Sequence, residues 1–272
     1  MALIQVNFMS KTLMRMVPIQ VILPVDKFFA RSDDSVDEKP FKTLYLLHGI
    51  FGNYTDWVSG TRIQRWAEEK NLAVVMPSGD NAFYVDQPAF ANLYGKFIGK
   101  ELVEITRKMF PLSHKREDTF IGGLSMGGYG AMRNGLKYHD TFGYIASLSG
   151  ALNVLENVEE RDRGPLAFAD SFFGDLKEAA KSDKNPKVLV EHLKAEGAVF
   201  PKVFMACGTE DGFLAENQSF RDYLKAQGVH VTYMEGPGGH DWDFWDTYIR
   251  KVIDWLPLEE GAQGVNSGNV LV

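Results

Sequence analysis

Gly123-Leu124-Ser125-Met126-Gly127 is the segment of this chain best suited to chemistry. A serine with a glycine two residues away on each side suits a sharp turn, because bulky neighbours there would clash with backbone. An apolar run, residues 119–121, precedes the turn, and residues 129–137 read as a helix. Strand, turn and helix together are the setting of a nucleophile elbow. Such an elbow places the N–H groups and positive dipole end of a helix beside the reacting oxygen. Composition alone would produce the five-residue pattern in about one such chain in ten, so its strand–helix context carries the argument. A phosphate loop does not fit, because Gly128 is followed by Tyr129 where such a loop needs Lys and then Ser or Thr.

A serine hydroxyl is a weak nucleophile at neutral pH and needs a base. Six histidines compete for that role. His114 lies in a basic–polar turn, His139 ends a helix, His192 belongs to a helix far from the elbow, and His230 begins a strand. His48 sits in a glycine loop, where it can hydrogen-bond locally. His240 differs: it follows the last strand in Gly236-Pro237-Gly238-Gly239 and stands just before the final helix. Enzymes built on this elbow carry the chain order Ser, acid, His, with the base in that late loop. His240 is therefore the expected base. An imidazole base must be neutral, so activity should fall as pH drops through the imidazole range, near about 6.5.

The orienting acid should leave a strand between Ser125 and His240. Residues 202–206 form that strand, and Cys207-Gly208-Thr209-Glu210-Asp211 leaves its end. Asp211, just before the Gly212 turn, is preferred, with Glu210 as the fallback. The acid accepts the imidazole N–H and stabilises the imidazolium that forms in the transition state. Two backbone donors should complete an oxyanion hole. One is Met126, the residue after the serine; the other is Ile50, in the loop His48-Gly49-Ile50-Phe51-Gly52. Trp57, Phe83, Tyr84 and Trp242 are expected to bind substrate, since Phe83-Tyr84 follow a strand end and Trp242 lies two residues from His240. His48 has no partner at metal-ligand spacing, and the single Cys207 excludes a cysteine-based cluster, so no metal and no cofactor are expected.

These loops need a scaffold. Residues 1–25 read as two strands, and short apolar runs at 43–47, 72–76, 144–148, 202–206 and 229–234 read as further strands. Helical spacing recurs at 63–70, 101–110, 217–226 and 244–255. Buried strands alternating with helices give an α/β fold, a mostly parallel sheet covered on both faces. A single domain is expected over 1–257, with 151–200 as a helix-rich, lid-like insertion after strand 6, over one edge of the sheet, and 258–272 as a tail.

At 272 residues and a net charge of −7, the chain has no electrostatic reason to seek nucleic acid or anionic lipid. No apolar run reaches the length of a membrane span, and no signal peptide is evident, so the expected location is cytoplasmic. The expected partner is a small-molecule ester, and a homo-oligomer is compatible with the sequence.

Three segments together resemble the esterase D-like carboxylesterases, above all the bacterial tributyrin esterases and the cinnamoyl (feruloyl) esterases. They are residues 46–53, Gly122-Gly123-Leu124-Ser125-Met126-Gly127-Gly128-Tyr129-Gly130-Ala131, and Gly239-His240-Asp241-Trp242. The resemblance spans roughly 1–257. It implies an α/β-hydrolase fold, a Ser125–Asp211–His240 triad, donors at Ile50 and Met126, and hydrolysis of short-chain acyl or hydroxycinnamoyl esters. The alternatives on the same fold are an S-formylglutathione hydrolase and an acyltransferase. S-formylglutathione hydrolases usually carry histidines on both sides of Ser-Met-Gly-Gly and a Ser-Gly-Leu-Thr oxyanion loop. Here those positions hold Leu124, Tyr129 and His48-Gly49-Ile50, which counts against the glutathione thioester.

Overall fold

The computed structural model describes residues 1–26, 39–87, 91–156 and 169–259. The chain opens with an antiparallel hairpin, β1 (Ala2–Ser10) and β2 (Arg15–Leu23). Next come β3 (Thr43–Leu47), α1 (Asp56–Gly60), α2 (Ile63–Glu69) and β4 (Ala73–Pro77). A small hairpin, β5 (Asp86–Gln87) and β6 (Asn92–Leu93), leads into α3 (Tyr94–Lys96), a π turn (Phe97–Glu101) and α4 (Leu102–Met109). Then follow β7 (Thr119–Leu124), α5 (Met126–Lys137) and β8 (Tyr144–Leu148). The connection to β9 (Lys202–Gly208) carries α6 (Ala169–Phe173), α7 (Leu176–Ala180) and α8 (Pro186–Ala195). The chain closes with α9 (Leu214–Ala226), β10 (Val231–Gly236) and α10 (Trp242–Trp255).

The main sheet has eight strands in the order β1-β2-β4-β3-β7-β8-β9-β10. All pairings from β4 to β10 are parallel; β2 joins β4 antiparallel. Both faces are covered, which is why β3, β4 and β7 are buried throughout and largely apolar rather than alternating. Alternate side chains still choose opposite sides. Leu44, Val74, Phe120 and Phe204 pack with α2 and α10, while Tyr45, Val75, Ile121 and Val203 pack with α4, α5 and α9.

The parallel register brings the C-terminal ends of the central strands to one rim. Leu47 lies beside Gly123, Leu124 beside Leu148, Leu148 beside Ala206, and Gly208 beside Gly236. The loops after β3, β7, β8, β9 and β10 therefore meet there, as open parallel sheets dictate.

The connection between β8 and β9 departs from expectation in its placement. It leaves the sixth strand of the main sheet as expected, but α8 packs on α5, over a face of the sheet rather than past its edge. The reason is a buried cation. Arg133 on α5 is 0% exposed; it donates to the Asp183 carbonyl and pairs with the Asp183 carboxylate at 3.0 Å. Lys137 joins the same carboxylate, and the Tyr129 hydroxyl donates to the Lys184 carbonyl. Residues 157–168 of the expected lid and 260–272 of the expected tail lie outside the described residues.

We predict that Arg133→Met lowers unfolding stability by about 1–2 kcal/mol, because it removes the buried donor that bonds the Asp183 carbonyl and carboxylate, while Lys137 still pairs with that half-exposed carboxylate. A urea titration should show a lower midpoint at unchanged slope; an unchanged midpoint would mean that this pair does not anchor the connection.

Candidate active site

Ser125 sits between β7 and α5 with φ 53° and ψ −119°, a region that side chains enter only when their surroundings force them. Two close backbone approaches do the forcing. A Cβ on Gly127 would lie 2.4 Å from the Leu47 carbonyl oxygen, and one on Gly123 would lie 2.4 Å from that of Gly127. Only glycine lets the elbow sit this deep against β3. The Ser125 N–H donates to Leu148 (2.9 Å), and its carbonyl accepts from Ala151 (3.2 Å) and Tyr129 (3.1 Å).

The Ser125 hydroxyl lies 2.9 Å from His240 Nε2, and His240 Nδ1 lies 2.9 Å from Asp211 Oδ2. With Nδ1–H donating to the carboxylate, Nε2 is free to accept from the serine, the tautomer a base needs. Asp211 is enclosed, whereas the imidazole is about one-third exposed, at 34%. Burial alone would raise the Asp211 pKa. Hydrogen bonds from His240, the Phe213 N–H and the Ser149 hydroxyl overcome it and hold the carboxyl below the usual carboxylate range.

Glu210, the fallback acid, does other work. Its carboxylate accepts the Gly238 N–H at 2.6 Å, and its own N–H donates to the Gly238 carbonyl at 3.1 Å. Thr209 N–H donates to the Gly236 carbonyl at 2.9 Å. The loops that carry Asp211 and His240 are thus laced together by bonds to main-chain groups.

Met126 is the first residue of α5, where backbone N–H groups have no partner within the helix. Gly49 backs onto Ser125: a Cβ there would lie 3.5 Å from Ser125 Cβ. The loop carrying Ile50 therefore borders the same spot. Phe51 follows at φ 68°, 86% exposed, with its N–H held by Asn81 Oδ1 at 2.8 Å.

The expected aromatic binders fall largely elsewhere. Trp57 is buried and donates to the Leu47 carbonyl; Phe83 is shut in by Tyr129, Phe172 and Phe173; Tyr84 is buried and donates to the His48 carbonyl. These three rings leave almost no surface for a ligand, because the core needed their area more than the loops did. Trp242 is half-buried, edge-on to Trp57 and Trp245. The rings that flank the imidazole are instead Phe213 and Trp245, both edge-on, with centroids at 5.1 and 5.0 Å. Trp245 stands three residues after Trp242 on the same helix, so the helical spacing from Trp242 was the signal for it. Ser149 carried no signal beyond an ordinary turn.

The chain resembles known proteins in sequence and in fold. The family model described as "Putative esterase" matches residues 10–253. The acetyl esterase of Caldicellulosiruptor saccharolyticus is 46% identical over 261 residues, covering 94% of this chain and 98% of that protein. The crystal structure of S-formylglutathione hydrolase (FrmB) from Staphylococcus aureus superposes with a TM-score of 0.80 at 35% identity, covering 94% of this chain and 98% of that one. A ferulic acid esterase structure shares the fold at 22% identity and a TM-score of 0.73, covering 94% of this chain and 97% of that one. With an α/β-hydrolase architecture and a family match that runs across nearly the whole sequence, this chain belongs to the esterase family.

Proposed function

We propose that this protein is a serine carboxylesterase that hydrolyses short-chain acyl esters through an acyl-enzyme. The observation that carries the reading is the unbroken hydrogen-bonded line from Ser125 through His240 to Asp211. Ser125 Oγ attacks the ester carbonyl carbon while His240 Nε2 takes its proton. Asp211 stays ionised and steadies the imidazolium. The oxygen that gains charge is met by the N–H groups of Ile50 and Met126. The C–O bond to the alcohol then breaks, and His240 returns the proton to the departing oxygen. Water deacylates the serine by the same sequence of transfers.

Within this class the acetyl esterase relative, matched over nearly its full length, favours a small acyl group. The burial of Trp57, Phe83 and Tyr84 removes the rings that would stack on a hydroxycinnamoyl group. A second reading is hydrolysis of the S-formylglutathione thioester, supported by the likeness to FrmB. Comparing kcat/KM for p-nitrophenyl acetate, methyl ferulate and S-formylglutathione decides among the three. We expect the acetyl ester to lead, and a lead by the thioester would install the second reading.

Ser125→Ala should lower kcat on p-nitrophenyl acetate by about 10⁴-fold or more with folding intact by circular dichroism. Wild-type turnover in that variant would sink the proposal. Asp211→Asn should cost about 10³- to 10⁴-fold in kcat, because it favours the wrong imidazole tautomer. Glu210→Gln should cost far less, since an amide oxygen can still accept the Gly238 N–H. Equal losses in the two variants would mean that Glu210 shares the acid's role.

The pH profile follows from Asp211. Its ionisation lies below the usual carboxylate range, so above about pH 5 it should stay charged. A single protonation, and not one of Asp211, should then govern the acid limb of log kcat/KM, which should climb with a slope near one. A slope near two in that window would show a second titrating group and overturn the assignment.

A further inference from the structure

His48 is buried in the loop after β3, and both of its ring nitrogens are engaged. Gly79, in the loop after β4, donates its N–H to His48 Nε2 at 2.8 Å. A nitrogen that accepts cannot carry the proton in the neutral ring, so the proton sits on Nδ1. Nδ1 lies 2.6 Å from the Gly49 carbonyl oxygen and donates to it. The network therefore fixes one neutral tautomer, and burial, which disfavours the charged ring, acts in the same direction.

The consequence lies in the next peptide. The Gly49 carbonyl and the Ile50 N–H share one planar unit, and the described residues contain no cis peptide. In a trans peptide the two groups point in opposite directions. Turning the carbonyl onto the imidazole turns the Ile50 N–H away from it. Gly49 itself backs onto Ser125. The loop is braced from behind as well: Tyr84 donates to the His48 carbonyl at 3.0 Å, and its ring meets the imidazole edge-on.

We infer that His48 is a positioning residue, which aims the Ile50 N–H at the oxygen of the tetrahedral intermediate by holding the Gly49 carbonyl. The inference rests on the esterase reading above and extends it to a residue outside the triad. The ring acts through the peptide plane and never touches the substrate. A donor that is correctly aimed matters in the transition state far more than in substrate binding, so the effect belongs in kcat rather than KM.

Two conservative replacements separate the two bonds. In His48→Asn the side-chain NH₂ falls near the place of Nδ1, so it can donate to Gly49 but cannot reach Gly79. In His48→Gln the side-chain oxygen falls near the place of Nε2, so it can accept from Gly79 but offers nothing to Gly49. On p-nitrophenyl acetate we expect His48→Gln and His48→Ala to lose about 10²- to 10³-fold in kcat, as for an oxyanion donor removed. We expect His48→Asn to recover at least tenfold of that loss, with KM within about twofold of wild type throughout. Melting temperatures, measured in parallel, should not follow the kcat order.

Equal kcat in the Asn and Gln variants would overturn the inference, and so would a loss that tracks melting temperature or falls on KM. The Ser125→Ala control keeps the two ideas apart. If Ser125→Ala is inactive and the His48 series fails to order as stated, the esterase reading stands and the role of His48 falls. If Ser125→Ala turns over at the wild-type rate, both fall together.

Discussion

The site hangs on a single steric fact, the seating of the β7–α5 turn directly against the carbonyl end of β3. Ser125 occupies a backbone region that costs on the order of 1–3 kcal/mol, and it stays there because its surroundings over-determine it. Gly123 and Gly127 let backbone meet backbone on either side. Hydrogen bonds from Ser125 to Leu148, and from Ala151 back to Ser125, close the remaining freedom. The hydroxyl then stands at the rim where the loops of five strands converge. A wider turn would withdraw it from His240 and separate Met126 from the loop of Ile50.

The rest of the site divides into two rigid groups around that serine. One is the pair of loops after β9 and β10, where Asp211 and His240 are joined directly and by main-chain bonds through Thr209, Glu210, Gly236 and Gly238. The other is the loop after β3, braced by His48 and Tyr84 against the loop after β4. Enclosure of Asp211 among donors keeps its charge fixed in place, the arrangement that the proposed mechanism needs beside His240.

Much of this was legible in the residues, for physical reasons. Ser125 and Asp211 follow buried strands, His240 follows the edge strand β10, and each lies in or beside a glycine turn, signals that survive in a single sequence. The acid was ambiguous between neighbours, because both Glu210 and Asp211 leave the same strand end; only the turn after Gly208 decides which carboxylate faces the imidazole. The aromatics misled, because ring size says that a residue buries area but not where. Thus Phe83 and Tyr84 look like loop rings beside a site and are core rings instead. The helix before α4 was also hidden. Gly95 and Gly99 weaken its helical signal, yet they are what allow it to lie close to Arg133 and Tyr138. The route of the β8–β9 connection was illegible, since it depends on Arg133 meeting Asp183 across fifty residues of chain.

The position of β10 gives the molecule a weak side. Among the described residues it is the last strand of the sheet, paired only with β9, and none of its residues is fully buried. Strands held in this way open at lower free energy than the core does. His240 is carried by the loop that β10 feeds, whereas Ser125 is carried by a strand flanked on both sides. Warming should therefore loosen the loop of His240 before the strand of Ser125, while the core still stands. Loosening of this kind should reverse on cooling, because the turn at Ser125 that the histidine rejoins stays folded.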